Sequence, residues 1–298
     1  KRGDILQNVL KMNEENKNFY KVLISLCIPI IIQNLLSSLI NMVDTMMVGG
    51  LGEISVAAIG IGNQYFFLYN MALSGIIGGA GLFIAQFFGK NDKRNIRKIT
   101  ALSVISSLIL GIGFSILAIF NPKFIIHFFS YDENVVKIAV DYFSIVGLCY
   151  PIIAISNVFS MGSRSIRNPN LGMVCSSISL GLNIILNYIF IFGKLGMPAL
   201  GASGAALATV ISRIIELILL ISYVYFIKND YELRFTLKDV KLINKDLSKA
   251  YVSKTLPTFL NDTLWAFGTV LYAVAYSKAG TSAIAASQIA SSTGNFFI

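Results

Sequence analysis

The sequence has 298 residues, 55% of them hydrophobic and only 13% charged, with a mean hydropathy of +0.71. These values exclude a disordered chain and an ordinary soluble domain, because one core cannot hide so much apolar side chain beneath so little polar surface. The net charge of +9 is confined to short basic stretches without interleaved aromatics, which points to anionic lipid and away from nucleic acid.

The amino end carries charges of both signs and shows no small-residue cleavage pattern, so no cleaved signal peptide is needed. Apolar runs then predict helices at 22–48, 54–88, 99–120, 138–162, 171–193, 199–227 and 254–278, with an eighth beginning near 283. The second run is too long to lie wholly in hydrocarbon. It holds Gly75 and Gly79 in GxxxG spacing, which predicts tilt and close helix packing. The third has no charge and gives about 33 Å of helix, enough to cross a bilayer. Unbroken runs disfavour a β-barrel, whose strands alternate. Between the sixth and seventh runs, Leu237, Val240 and Leu247 share an apolar periodicity; a helix lying on the inner surface and a polar connector both fit. Cys27, Cys149 and Cys175 lie within apolar runs without metal-ligand spacing and read as buried small hydrophobes. The expected fold is an all-α polytopic membrane protein with seven spans plus the start of an eighth.

The connections sort the basic residues by side. Nineteen fall in the amino end, 90–98, 164–167 and 228–254, whereas the opposite connections hold only Lys123, Lys137, Lys194 and Lys278. By the positive-inside rule the amino terminus is cytoplasmic in a multi-pass cell-membrane protein.

The segment from Pro29 resembles that from Pro257 at an offset of 228, with Asn34 matching Asp262, Gly52 matching Gly280, and Ala57 and Ala58 matching Ala285 and Ala286. This repeat divides the chain into a six-helix amino-terminal lobe, residues 1–249, and an incomplete carboxyl-terminal lobe, 250–298. The chain then reads as a fragment of a protein of roughly 450–480 residues with twelve spans, an organisation common among secondary transporters.

Polar residues inside apolar runs mark the candidate site. Asp44 lies in the outer half of the first helix with Asn41 on its face; it fits either ion coordination or local backbone capping. Asn183 and Asn187, spaced i,i+4 in the fifth, fit either coordination at a similar depth or interhelical hydrogen bonding. Asp262 follows Pro257, whose missing N–H frees backbone groups near it for coordination or for a kink. Arg213 and Glu216, spaced i,i+3, read as a neutralised pair. Tyr65, Phe66, Phe67 and Tyr69 point in different directions around their helix, so packing or lipid explains most of them. His127 has no companion at ligand spacing, and the absence of GxxxxGK[ST] leaves ATP-driven export unsupported.

The stretches PIIIQNLLSSLINMVDTMMVGGLGEISVAAIGI, FIAQFFGKND, GLNIILNYIFIFGKLGMPALGASGAALAT and LPTFLNDTLWAFGTVLYAVAYSKAGTSAIAASQI, in this order, resemble the multidrug and toxic compound extrusion transporters. The resemblance implies twelve helices in two lobes, a monomer when full length, no enzymatic activity and no cofactor. It further implies export of small organic cations in exchange for sodium or protons. The family's helix-one aspartate falls on Asp44, and the acidic helix-seven position of one branch falls on Asp262. Many members carry a helix-five aspartate where this chain has Asn187, beside the retained Asn183, which puts a two-carboxylate proton relay in doubt. Lipid-linked intermediate flipping and a non-transporting membrane scaffold or receptor are the alternative functions.

Overall fold

The computed structural model describes residues 19–21, 23–36, 39, 43, 46–228, 230–278, 286 and 290. Among these the secondary structure is helical: α1 (Phe19–Leu36), α2 (Glu53–Gly89), α3 (Lys93–Phe120), α4 (Pro122–Ile126), α5 (Glu133–Val146), α6 (Cys149–Ser165), α7 (Pro169–Phe192), α8 (Gly201–Ser222), α9 (Leu237–Lys241) and α10 (Lys245–Ser277). Five helices among the described residues, α1, α2, α3, α7 and α8 with its π-helical extension Tyr223–Ile227, are long and apolar enough to cross a membrane. A sixth is added if the bent pair α5–α6 counts as one span. The molecule is therefore a multi-pass, all-α membrane protein. The expected eighth helix lies outside the described residues except for 286 and 290.

Several boundaries differ from the hydropathy reading, and local chemistry explains each. α3 begins at Lys93 rather than 99 because the Asp92 carboxylate accepts from the Asn95 backbone N–H at 3.1 Å, capping a basic first turn that hydropathy discounts. The run at 138–162 is two helices meeting at 48°. At this bend a side chain on Gly147 would approach Ile119 at 2.7 Å, and Pro151 supplies no N–H to the first turn of α6. The seventh run also starts early: the Asn244 side chain accepts from Leu247 N at 3.4 Å, and α10 runs unbroken from Lys245 through Pro257. The segment between the sixth and seventh runs thus comprises the short α9, with Leu237 exposed, and the first turns of a long helix. α10 is not among the helices apolar enough to count as spans, because Asn261, Asp262 and its threonines dilute the run.

Aromatic packing holds the centre together. Tyr69, fully buried, donates to the Tyr150 carbonyl at 2.6 Å, and Tyr65 donates to the Phe114 carbonyl at 2.9 Å. These two are core residues of α2, whereas Phe67 faces Trp265 of α10 with ring centroids 6.0 Å apart. The GxxxG pair performs the expected close approach, and α10 is its partner. A Cβ on Gly75 would stand 2.5 Å from Phe259 Cα, and one on Gly79 would stand 2.6 Å from Thr255 Oγ1. Cys149 and Cys175 are buried as expected, but Cys27 is exposed on α1. A small apolar thiol on a helix apolar enough to cross a membrane needs no protein cover, so hydrophobicity alone did not imply burial.

Candidate functional site

Ser176, Ser179, Asn183 and Asn187 recur every three or four residues and form one polar stripe along the otherwise apolar α7. α8 meets it with Thr209, Ser212 and Glu216. Asn187 Nδ2 donates to Asn183 Oδ1 at 3.2 Å, joining the two amides that the sequence places on one face. Asn183 Nδ2 donates to Ser212 Oγ at 3.3 Å and lies 3.5 Å from Thr209 Oγ1, while Ser179 donates to the Ser212 carbonyl at 2.8 Å. Asn183, Asn187, Ser179 and Ser212 are all buried. Paired polar groups at such depth avoid the several kcal/mol that an unsatisfied group costs in a medium without water.

At its Ser176 end the stripe becomes charged. Glu216 is buried and accepts from Ser176 Oγ at 2.7 Å and from Arg213 Nη1 at 2.7 Å, giving the expected i,i+3 pair an additional partner on α7. Ser176 in turn accepts from Gln33 Nε2 of α1 at 3.0 Å, and Arg164 Nη2 at the end of α6 donates to Gln33 Oε1 at 2.6 Å. One hydrogen-bonded line therefore joins α6, α1, α7 and α8.

Asp262 occupies different surroundings. Its Oδ2 accepts from Ser74 Oγ of α2 at 3.1 Å, one residue from the Gly75 contact, while Asn261 Nδ2 donates to Oδ1 at 3.3 Å. Its hydrogen-bond partners therefore lie on α2 and α10, whereas those of Asn183 and Asn187 lie on α7 and α8. Asn41 and Asp44 lie outside the described residues. Sequence reading missed Gln33, Ser176 and Ser74. The three-to-four spacing from Ser176 to Asn187 was a visible signal, whereas Gln33 carried none beyond being an amide in an apolar run. His127 is exposed and stacks on Tyr131 at 5.1 Å. No group of three His, Cys, Asp or Glu residues among those described is arranged to hold a metal ion. The α7–α8 stripe instead assembles amide and hydroxyl oxygens, a donor set suited to hard cations or water.

The family profile described as MatE matches residues 29–189. A probable multidrug resistance protein NorM from Thermotoga maritima is 27% identical over 291 residues, covering 97% of this chain and 61% of the relative. Another from Mannheimia succiniciproducens is 28% identical, covering 95% of this chain and 61% of its own length. The chain thus spans about three fifths of these relatives. Among solved structures, an inward-facing multidrug resistance MATE family transporter of the MOP superfamily superposes with a TM-score of 0.76 at 27% identity, covering 90% of this chain and 60% of that one. An outward-facing MATE structure also gives 0.76 at 24% identity, covering 93% and 63%, a likeness of fold.

Proposed function

Because the chain belongs to the MatE family, we propose that the complete protein is a secondary antiporter exporting small organic cations in exchange for sodium or protons by alternating access. The observation that carries this reading is the buried line of amides and hydroxyls from Asn187 to Glu216, set in a bundle whose fold related transporters adopt both inward-facing and outward-facing. Residues 1–249 form the amino-terminal lobe and 250–298 open the carboxyl-terminal one. The reading takes seven spans and the start of an eighth, a cytoplasmic amino terminus on the ground of the basic-residue distribution, and a full-length protein that works as a monomer. Its role is transport rather than catalysis.

The coupling set is Asp44 with Asn41, Asn183 and Asn187, and with Asp262 at the start of the second lobe. Asp44 supplies the charge, while the asparagines supply neutral oxygens that can replace a cation's water ligands. Asn187 has no proton to exchange, so a proton taken up in this lobe must reside on a carboxylate elsewhere. Ion and substrate then drive export by favouring different conformations of the lobes, each weakening the other's binding.

Vesicles containing the full-length protein test the reading when sodium and pH gradients are imposed separately. Efflux of an ethidium-like cation driven by either gradient supports it. Absence of efflux across a broad cation panel, with reproducible movement of a lipid-linked intermediate, rejects it in favour of a flippase.

A further inference from the structure

Over its described residues, α1 buries little of itself against the bundle. Among its described residues only Pro29 and Gln33 are buried, one helical turn apart, while most others are exposed. Exposed apolar residues on this helix, Ile24, Ile28, Ile31 and Leu35 among them, provide no directional hold. Gln33 does provide one, and its partners come from two other helices.

We propose that Gln33 is a positioning residue, a two-sided amide clamp that sets where α1 stands against α6 and α7. Its Oε1 accepts from Arg164 Nη2 at 2.6 Å, and its Nε2 donates to Ser176 Oγ at 3.0 Å. The Ser176 hydroxyl is oriented in turn by Glu216, to which it donates at 2.7 Å, and Arg213 holds the second oxygen of that carboxylate at 2.7 Å. The arrangement is polar in a definite sense. A guanidinium faces the acceptor end of the amide, and a carboxylate, acting through one hydroxyl, faces its donor end. Only a side chain with both an acceptor and a donor at this length satisfies the two sides together.

The neutrality of the clamp makes it releasable. If Gln33 withdraws, Glu216 keeps Arg213 and Ser176, so its carboxylate is not stranded; the Arg164 guanidinium gives up a neutral amide acceptor, and α1 loses neutral-amide hydrogen bonds rather than an ion pair. Gln33 precedes Asp44 by eleven residues in the sequence, so on the antiport reading the clamp is expected to bear on ion coupling. That last consequence rests on the antiport reading, but the positioning of α1 does not.

The test uses spin labels at positions 24 and 218, exposed on α1 and α8, in the full chain carrying Cys27→Ser. Gln33→Met preserves length and removes the bonds to Arg164 and Ser176; the α1–α8 distance distribution is expected to broaden or gain a second population, with the held state disfavoured about tenfold. Ser176→Ala should give a smaller shift and Ser176→Thr none, since threonine restores the hydroxyl. Gln33→Glu should also shift the distribution, because the single Ser176 proton cannot serve two carboxylates. Combining Gln33→Met with Ser176→Ala should add nothing to Gln33→Met alone. Thermal unfolding in detergent identifies any variant that fails to fold, and Ser176→Ala with its threonine rescue remains informative if Gln33→Met does fail. An unchanged distribution in folded Gln33→Met, even with transport lost, overturns the proposal. A shifted distribution with transport intact upholds the clamp and removes α1 position from the antiport mechanism.

Discussion

Asp230 illustrates how a single residue fastens a connector to the bundle. Its carboxylate accepts from Lys93 at 2.8 Å and from Arg97, both on the first turns of α3, and Glu232 lies 4.0 Å from the same lysine. The two cations hold the Asp230 carboxyl below its ordinary value, chiefly through the hydrogen bond from Lys93 and then that from Arg97. A depressed folded-state pKa contributes stability above the unfolded value and loses it as pH falls through the folded one. The connector should therefore stay docked at neutral pH and loosen only in acid below the usual carboxylate range. Hydrogen exchange at 230–236 should show this acid-dependent loosening, and Asp230→Asn should reduce it to what the longer Lys93–Glu232 pair contributes; high salt should weaken the attachment at any pH. At the same scale, Asp44→Asn keeps the shape of the side chain and removes its charge. Gradient-driven efflux by that variant should fall at least about tenfold at normal membrane expression. Undiminished transport would shift attention to Asp262.

Among the elements, the α2–α10 contact is the most exacting. Gly79→Leu would drive a side chain into Thr255, whose Oγ1 lies 2.6 Å from where even a Cβ would sit, so the helices must separate. Overpacking of this kind costs about 1–3 kcal/mol, to be seen as a lower unfolding temperature and a lost disulfide between cysteines placed across the contact. Gly78→Leu is the control: a Cβ there meets nothing within 4 Å, and both readouts should be unchanged. This contact was half legible beforehand. The GxxxG spacing announced a close approach, but not that α10 would make it. Five of the spans, and the bent α5–α6 pair as a sixth, were readable because long apolar runs have few alternatives in a membrane. Their ends were not, because Asp92 and Asn244 start helices through caps inside charged sequence that hydropathy discards. The same limit hid the clamp. Gln33 owes its importance to partners 131 and 143 residues away, and no local pattern encodes them.

For the whole molecule, the distribution of basic residues makes the sharpest prediction. Lys90 and Lys194 are both exposed and lie in connections assigned to opposite sides of the membrane. With Cys27 replaced by serine, Lys90→Cys should react with an impermeant maleimide only in inverted vesicles and Lys194→Cys only in intact cells; the reverse pattern would overturn the orientation. α10 has a consequence at this scale as well. It is a single rod of 33 residues held along most of its length, from Tyr251 at 3.0 Å from Ser106 and Thr255 against Gly79, through Asp262 on Ser74 and Trp265 beside Phe67, to Val270, Ala273 and Val274 against the core. About 30 Å of helix separates Thr255 from Tyr276. A rod fastened to α2 at so many points cannot pivot at the glycines alone. It travels with α2 as one piece, so a displacement of either helix is carried through to the other.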